Sequence, residues 1–214
     1  MLAKHKFADL PFAFLRAGLF VYIILELLVA LGITYIPQFK HAEQTVIIAL
    51  RLLELVAFIG LIYHYKLVQS LGLHRPSRDA IQVFVWVSVV CVGSFFVLYG
   101  LYPAVFAYIV LPAWLSGVSG LLLMVLLAPL VEELIFRGVL FRMLREQWGI
   151  AVSVAVSAAF FSLVHHGLLV SPQLVGGVIF ALAYEWSKSL WVSIGLHIGA
   201  NSAVYLLSVL DFAK

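Results

Sequence analysis

Apolar stretches long enough to cross a lipid bilayer follow one another along almost the whole chain. A helix needs about 20 apolar residues to span the hydrocarbon core, and lipid leaves exposed backbone groups unsatisfied, so each stretch is expected to be helical. The composition agrees, because 64% of the 214 residues are hydrophobic and 11% are charged, against roughly 25% charged residues in soluble domains. These features predict one all-α, polytopic transmembrane bundle with no soluble module.

The apolar runs predict about seven spans. They cover residues 12–36, 45–65, 81–101, 118–141, 150–166, 170–187 and 190–209. The stretch 102–114 contains two prolines and is predicted to be an interfacial helix or a re-entrant piece. Polar groups are scattered over residues 1–117, whereas 118–209 concentrates Glu, Arg, His and Asn at helical spacings. We therefore expect N-terminal transmembrane helices over 1–117 and a distinct group of four C-terminal helices over 118–209.

The placement of basic residues predicts the orientation, because lysine and arginine are retained on the cytoplasmic side. With the N-terminus inside, the inner face collects Lys4, Lys6, Arg16, Lys66, Arg75, Arg78, Arg142, Arg145 and Lys188, and the outer face has Lys40 and Lys214. We therefore predict a cytoplasmic N-terminus. The formal charge of +3 includes no dense basic run, so membrane lipid is expected as a partner and nucleic acid is not.

Three ionisable residues interrupt an apolar span in "EELIFRG", residues 132–138. A charge at bilayer depth costs roughly 2.5–3.5 kcal/mol on insertion scales, so such residues usually pair and mark function. Glu133 and Arg137 are i and i+4 on a helix, the spacing of an ion pair. Glu132 points about 100° away from Glu133 and needs another partner.

Candidate partners for Glu132 lie in the next predicted spans. "FFSLVHHG" (160–167) contains His165, and "LHIGAN" (196–201) places His197 and Asn201 on one helical face. Glu132 and one histidine could hold and deprotonate a water, while the second histidine and Asn201 donate hydrogen bonds to an oxyanion. This set of residues suits peptide hydrolysis by activated water, without a covalent intermediate.

The three motifs together resemble a known family. "EELIFRG" matches an EExxxR pattern, "FSLVH" (161–165) matches FxxxH, and "HIGAN" (197–201) matches HxxxN. In this order and spacing they resemble the CAAX protease and bacteriocin-processing (CPBP or Abi) family of intramembrane endopeptidases, which includes the Ras-converting CAAX endopeptidase. The likeness covers about residues 118–209 and implies that they form a C-terminal four-helix catalytic core.

The resemblance implies a role for each motif residue. Glu132 would be the water-activating base, assisted by His165. His197 and Asn201 would form the oxyanion site. The substrate would be a membrane-associated or CAAX-like peptide or protein, and the compact chain suits a multi-pass protein of a prokaryotic cell membrane.

Supporting roles follow from the same resemblance. Glu133 and Arg137 would brace the first motif, and Phe161, one turn before His165, would serve packing. His166 lies outside the family pattern and is interpreted as a neighbour of the site.

Metal dependence stays open at this stage. The family is commonly labelled metalloprotease, and zinc, if present, would be held by Glu132, His165 and His197. The HExxH pattern of many zinc proteases is absent, so the residues equally suit a metal-free site. A membrane immunity or scaffold protein that keeps the fold is the main alternative function. A transporter using Glu132 and His165 as a proton relay is a further alternative.

Other polar residues in the spans have weaker interpretations. Arg51 and Glu54 are i and i+3 and are predicted to pair, whereas Glu26 has no partner nearby in the sequence. Glu185 is expected to be solvated beside Lys188 at a membrane end. Gly176 and Gly177 are expected to allow close approach of helices.

The predicted spans do not by themselves bring the motif residues to one depth. Counting about 1.5 Å per residue from the inner span ends places Glu132 and His197 in the inner half of the membrane. The same count places His165 nearer the outer side.

Overall fold

The computed structural model describes residues 7, 9–102, 115, 117–165 and 171–209, which form helices joined by short connections. No β-strand occurs in these ranges. The prediction of an all-α, polytopic helical bundle is confirmed. Of the predicted interfacial or re-entrant piece (102–114), residues 103–114 lie outside the described residues, as does His166.

The N-terminal part contains three long helices and one short one. They are α1 (Phe12–Tyr35), α2 (Pro37–His41), α3 (Glu43–His64) and α4 (Arg78–Leu101). Ser77 begins α4, because its side chain accepts a hydrogen bond from the otherwise unpaired N–H of Ala80, at 3.1 Å. Helix α1 packs against α3, and α2 forms the turn between them.

The C-terminal part begins with a helical path that changes geometry several times. It comprises α5 (Gly117–Leu121), a π-helical segment (Leu122–Leu127), α6 (Ala128–Glu133), a second π-helical segment (Leu134–Phe141) and α7 (Arg142–Val164). Two further helices follow, α8 (Pro172–Ser187) and α9 (Leu190–Val209).

Five helical stretches among the described residues are long and apolar enough to cross a membrane. They are Phe12–Tyr35, Glu43–His64, Arg78–Leu101, Gly117–Val164 and Leu190–Ser208. The 48-residue stretch contains two predicted spans, 118–141 and 150–166, because Gly149 interrupts its helix with φ 77°. The predicted span 170–187 corresponds to α8, whose 16 residues are fewer than the roughly 20 that a perpendicular crossing needs.

Proline shapes the first π-helical segment. The N–H of Ala128 bonds to the carbonyl of Leu123, five residues back, which is the π-helical pattern. The same pattern would pair the carbonyl of Met124 with residue 129, but that residue is proline and has no N–H. The Met124 carbonyl is therefore left for a partner from outside its own helix.

Helices α7 and α8 approach closely at a glycine. A Cβ added to Gly177 would lie 2.9 Å from the Cα of Ala158, whereas one added to Gly176 would meet only the Phe180 ring of its own helix, at 3.4 Å. Close approach of helices is thus confirmed at Gly177 and is not seen at Gly176. Helix α8 also packs against α9 and α4, while α1 packs against the second π-helical segment.

Glu185 lies in a buried ion-pair cluster at the end of α8. Its carboxylate contacts Arg145 at 3.1 and 3.2 Å and Lys188 at 2.7 Å, and the residue is 6% exposed. The expectation that Glu185 would be solvated is wrong, because α7 folds back along α8 and brings Arg145 onto it.

A tight connection joins the two parts of the chain. The carbonyl of Gly72, in the loop between α3 and α4, accepts hydrogen bonds from Ser189 Oγ and Leu190 N, both at 3.2 Å. Trp191 Nε1 donates to the carbonyl of Leu73 at 2.9 Å. The loop is thereby fixed against the turn between α8 and α9.

Candidate active site

Glu133 lies at the end of α6 and is fully buried. Its Oε1 accepts a hydrogen bond from Arg137 Nη1 at 2.8 Å, so the predicted i, i+4 ion pair is present. Arg137 also donates from Nη2 to the carbonyl of Gly177 at 3.2 Å. Its guanidinium lies 4.7 Å from the Phe161 ring and 5.3 Å from the Phe180 ring. The buried cation therefore joins α6 to both α7 and α8.

Helix α9 adds two more contacts to the same carboxylate. His197 Nδ1 lies 2.8 Å from Glu133 Oε1, and Ser193 Oγ donates to Glu133 Oε2. Ser193 was missed by the sequence interpretation. A weak sequence indication exists, since Ser193 precedes His197 by four residues and so shares its helical face.

Glu132 faces a different part of the site. Its Oε2 lies 3.6 Å from His165 Nε2 and 3.7 Å from His197 Nε2. These separations exceed those of a direct hydrogen bond and are short enough for one small polar molecule to bridge. Three predicted site residues therefore converge: Glu132 on α6, His165 directly after α7, and His197 on α9.

The partners of the two histidine Nδ1 atoms determine where the ring protons lie. His165 Nδ1 is 2.8 Å from the carbonyl of Phe161, and His197 Nδ1 faces the carboxylate of Glu133. A carbonyl and a carboxylate paired with arginine can only accept hydrogen bonds, so each Nδ1 carries the proton and donates. In the neutral rings, both Nε2 atoms therefore turn lone pairs toward Glu132.

The three side chains at this convergence point differ in their exposure. The side chain of His165 is 32% exposed, whereas those of Glu132 and His197 are 9% and 5% exposed. The site is therefore most open beside His165. Phe161 packs against the rings of His165 and His197, with centroid separations of 4.6 and 5.6 Å, as its expected packing role requires.

Asn201 lies one turn beyond His197 on α9. Its Nδ2 donates to the carbonyl of Met124 at 2.8 Å, the carbonyl that Pro129 leaves unpaired in the first π-helical segment. This contact holds α9 against the segment that leads into Glu132. One amide hydrogen of Asn201 is thus engaged, and the second is the one left for a ligand.

A second polar cluster lies between α1 and α3. Arg51 donates to Glu26 at 2.7 Å and to Glu54 at 2.6 Å. The predicted pair of Arg51 and Glu54 is present, and Glu26 gains the partner that the sequence did not reveal. Helix α3 also packs against α6, so this cluster lies on a helix that supports Glu132.

The residues at the convergence point have side chains of the kind that zinc accepts. Within the described part of the chain, however, no group of three or more His, Cys, Asp or Glu side chains is spaced to hold a metal ion. The arrangement in this structure does not fit a metal centre, and no chemical step below passes through a metal.

Comparison with known proteins agrees with the three motifs. Residues 112–203 match the family described as type II CAAX prenyl endopeptidase Rce1-like. A stretch of 93 residues is 37% identical to the membrane-embedded CAAX protease MroQ of Staphylococcus aureus (strain USA300), over 40% of this chain and 38% of that protein.

A second relative is YdiL of Bacillus subtilis (strain 168), which carries the name of a membrane peptidase. It is 31% identical over 88 residues, which cover 39% of this chain and 35% of that protein. The matches thus span little more than a third of either relative's length. No solved structure matches the chain. The resemblance drawn from the three motifs is confirmed over residues 112–203, which match the model of the Rce1-like type II CAAX prenyl endopeptidase family.

Proposed function

We propose that this protein is an intramembrane endopeptidase that hydrolyses a peptide bond of a membrane-associated substrate. The observation that carries the proposal is the convergence of Glu132 Oε2 with the Nε2 atoms of His165 and His197, at 3.6 and 3.7 Å. The Rce1-like match over residues 112–203 supports the same reaction class.

The proposed reaction begins with a water bound between Glu132 and His165, on the more open side of the site. The Glu132 carboxylate takes a proton from this water, and the resulting hydroxide forms a bond to the carbon of the scissile carbonyl. The C–N bond then breaks, and Glu132 returns the proton to the leaving amine. Peptide and water are thereby converted to a carboxylic acid and an amine.

The negative charge that develops on the carbonyl oxygen needs hydrogen-bond donors. We assign this role to His197 and Asn201. Because His197 Nδ1–H is directed at Glu133, its Nε2 can donate only when the ring is protonated. The Glu133 carboxylate holds the Nδ1–H of that ring, and Asn201 contributes its second amide hydrogen.

The two halves of the chain have different tasks in this proposal. Residues 118–209 form the catalytic core, because they supply every proposed site residue. Residues 1–117 support it, since α1 packs against the second π-helical segment and α3 packs against α6. We further propose that the N-terminus is cytoplasmic, on the distribution of basic residues.

The test compares peptide cleavage by purified wild-type protein, Glu132→Gln and Asp79→Asn in detergent, using a proteome-derived peptide library. Asp79 is an exposed carboxylate in the first turn of α4 and serves as the matched control. We expect Glu132→Gln to lose at least about 100-fold in rate, as removal of a general base usually does, and Asp79→Asn to cleave like the wild type.

A chelator arm in the same experiment addresses the metal. The proposed reaction predicts unchanged cleavage after chelation, whereas loss that zinc restores would require a different mechanism. If the Glu132→Gln variant functions in the cell as well as the wild-type protein does, the protease proposal is overturned and an immunity or scaffold protein is favoured. Proton-coupled flux in liposomes would instead favour the transporter.

A further inference from the structure

Ser193 is a fully buried hydroxyl in the wall of the candidate active site. It belongs to none of the three motifs, and its position on α9 is one turn before His197. Its Oγ donates to Glu133 Oε2. A carbonyl oxygen, that of Phe180, lies farther away at 3.3 Å, so the carboxylate is the nearer acceptor for the single hydroxyl proton.

The two oxygens of Glu133 are held from different sides. His197 and Arg137 donate to Oε1, and Ser193 donates to Oε2. A carboxylate with one oxygen engaged can still rotate about its terminal bond, whereas engagement of both oxygens fixes its plane. Ser193 and His197 are i and i+4, so α9 contacts one carboxylate at two points.

We propose that Ser193 is a positioning residue that keeps the Glu133 carboxylate aligned with His197 Nδ1, and thereby keeps the Nε2 of His197 directed at Glu132. The orientation of a histidine and the nitrogen that carries its proton are set by the hydrogen bond at the other nitrogen. The catalytic consequence rests on the proposed function. The effect on the ring proton does not.

Removal of the hydroxyl has a definite physical effect. In Ser193→Ala, the buried Oε2 of Glu133 loses its donor, and the carboxylate can turn toward Arg137 to recover one. Its alignment with His197 Nδ1 is then lost, and the imidazole proton can move to Nε2. In those molecules Nδ1–H no longer anchors the ring on Glu133, so Nε2 is not held toward the position of the proposed oxyanion.

The first experiment measures the nitrogen signals of His197 by ¹⁵N NMR in histidine-labelled protein in detergent at fixed pH. The His197 signals are assigned from a His197→Asn sample. Ser202→Ala is the matched control, because Ser202 lies on the same helix and, among the described residues, its hydroxyl bonds to the Ile198 carbonyl of that helix, at 2.7 Å. We expect a protonated Nδ1 in the wild type and in Ser202→Ala, and an unprotonated Nδ1 signal in Ser193→Ala.

The second measurement separates kcat from KM for peptide cleavage. We expect Ser193→Ala to lower kcat about 10-fold with little change in KM, in the range that loss of a group supporting a functional histidine produces. Ser193→Thr keeps the hydroxyl and should recover most of the loss. If Ser193→Ala fails to fold, Ser193→Cys, which keeps the shape with a much weaker donor, takes its place.

The outcomes are distinct. Complete protonation of His197 Nδ1 in folded Ser193→Ala, or in Ser193→Cys in its place, overturns the assignment. An unprotonated Nδ1 signal in the variant supports it, even where the wild-type protein cleaves no peptide. In that case the proposed protease function fails by itself and the positioning role stands.

Discussion

Glu132 and Glu133 are adjacent in the chain but meet different surroundings. Glu133 has both oxygens engaged, by Arg137, His197 and Ser193, so three of the roughly four acceptor positions of its carboxylate are occupied. Glu132 faces the Nε2 atoms of two histidines at 3.6 and 3.7 Å. The assignment of Glu132 as base and Glu133 as support therefore has a physical reason in their partners.

The second intramembrane cluster gives a prediction at the scale of single residues. Arg51→Ala should destabilise the protein strongly, because Glu54 is fully buried and would be left as an uncompensated charge, at a cost of about 3–5 kcal/mol. Thermal unfolding in detergent measures the effect. Arg16→Ala, at an exposed position of α1, is the control and should change little.

A double variant checks the cause of that loss. Adding Glu54→Gln to Arg51→Ala removes the stranded charge, so part of the lost stability should return. If the double variant is no more stable than Arg51→Ala alone, the loss comes from packing of the arginine side chain and not from the buried carboxylate.

At the scale of helices, irregular geometry positions the site. Pro129 leaves the Met124 carbonyl without a helical donor, and Asn201 from α9 takes that place at 2.8 Å. π-helical segments flank α6 on both sides, and such segments are often found at functional sites. Asn201 thus links α9 to the segment that leads into Glu132 and Glu133.

The contact between α7 and α8 gives a prediction at this scale. Gly177→Ala should destabilise the protein by about 1–3 kcal/mol, the usual cost of overpacking, because its Cβ would lie 2.9 Å from the Cα of Ala158. Cleavage activity should fall as well, since the Gly177 carbonyl accepts from Arg137. Thermal unfolding and peptide cleavage in detergent measure the two effects.

Gly176 supplies a control within the same helix. Gly176→Ala meets only its own helix, at 3.4 Å, so it should be neutral or stabilising by up to about 1 kcal/mol, since alanine favours the helix. Equal destabilisation by both variants would show that close approach to Ala158 is not the cause.

At the scale of the whole molecule, the loop after α3 joins the N-terminal helices to the C-terminal helices. Gly72→Ala should disrupt the contact between this loop and the turn that joins α8 to α9. The new Cβ would lie 2.1 Å from the carbonyl oxygen of Lys188, and the residue has φ +69°. We expect a lower unfolding temperature and faster proteolysis in the loop between α3 and α4.

Gly149 provides the matched control for this variant. It has φ +77° and ψ −179° with no described atom within 4 Å of an added Cβ, so Gly149→Ala carries the backbone penalty of about 1–3 kcal/mol for a conformation that glycine alone adopts readily, without the clash. The difference between the two variants measures the contact with Lys188. Equal shifts in unfolding temperature would mean that the loop contact contributes nothing.

The orientation in the membrane is tested on the intact protein. In a Cys91→Ala background, Gln38→Cys places a thiol on α2, and Gln69→Cys places one in the loop after α3; both positions are exposed. With a cytoplasmic N-terminus, an impermeant maleimide applied to intact cells should label Gln38→Cys. It should label Gln69→Cys only after permeabilisation, and the reverse pattern would place the N-terminus outside.

The fold class and the approximate helices could be predicted from the amino-acid sequence alone, and the three motifs could be recognised in it. Long apolar runs in lipid have few alternatives to helices, and i, i+4 spacing alone predicts the pair of Glu133 and Arg137. Span counting was less reliable, because residues 118–164 continue as one helical path that is interrupted at Gly149. The 16 residues of α8 also fall short of a full perpendicular span.

The contacts between side chains of different helices are seen only in the folded structure. Counting residues from the span ends placed His165 and Glu132 at different depths in the membrane, yet His165 Nε2 and Glu132 Oε2 lie 3.6 Å apart. The count fails because it omits the packing and tilt of the helices, which set the depth of each residue. The contacts of Glu26 with Arg51, of Glu185 with Arg145 and of Ser193 with Glu133 likewise join different helices. Local spacing reveals contacts within one helix, whereas contacts between helices depend on rotation and crossing geometry that no single segment specifies.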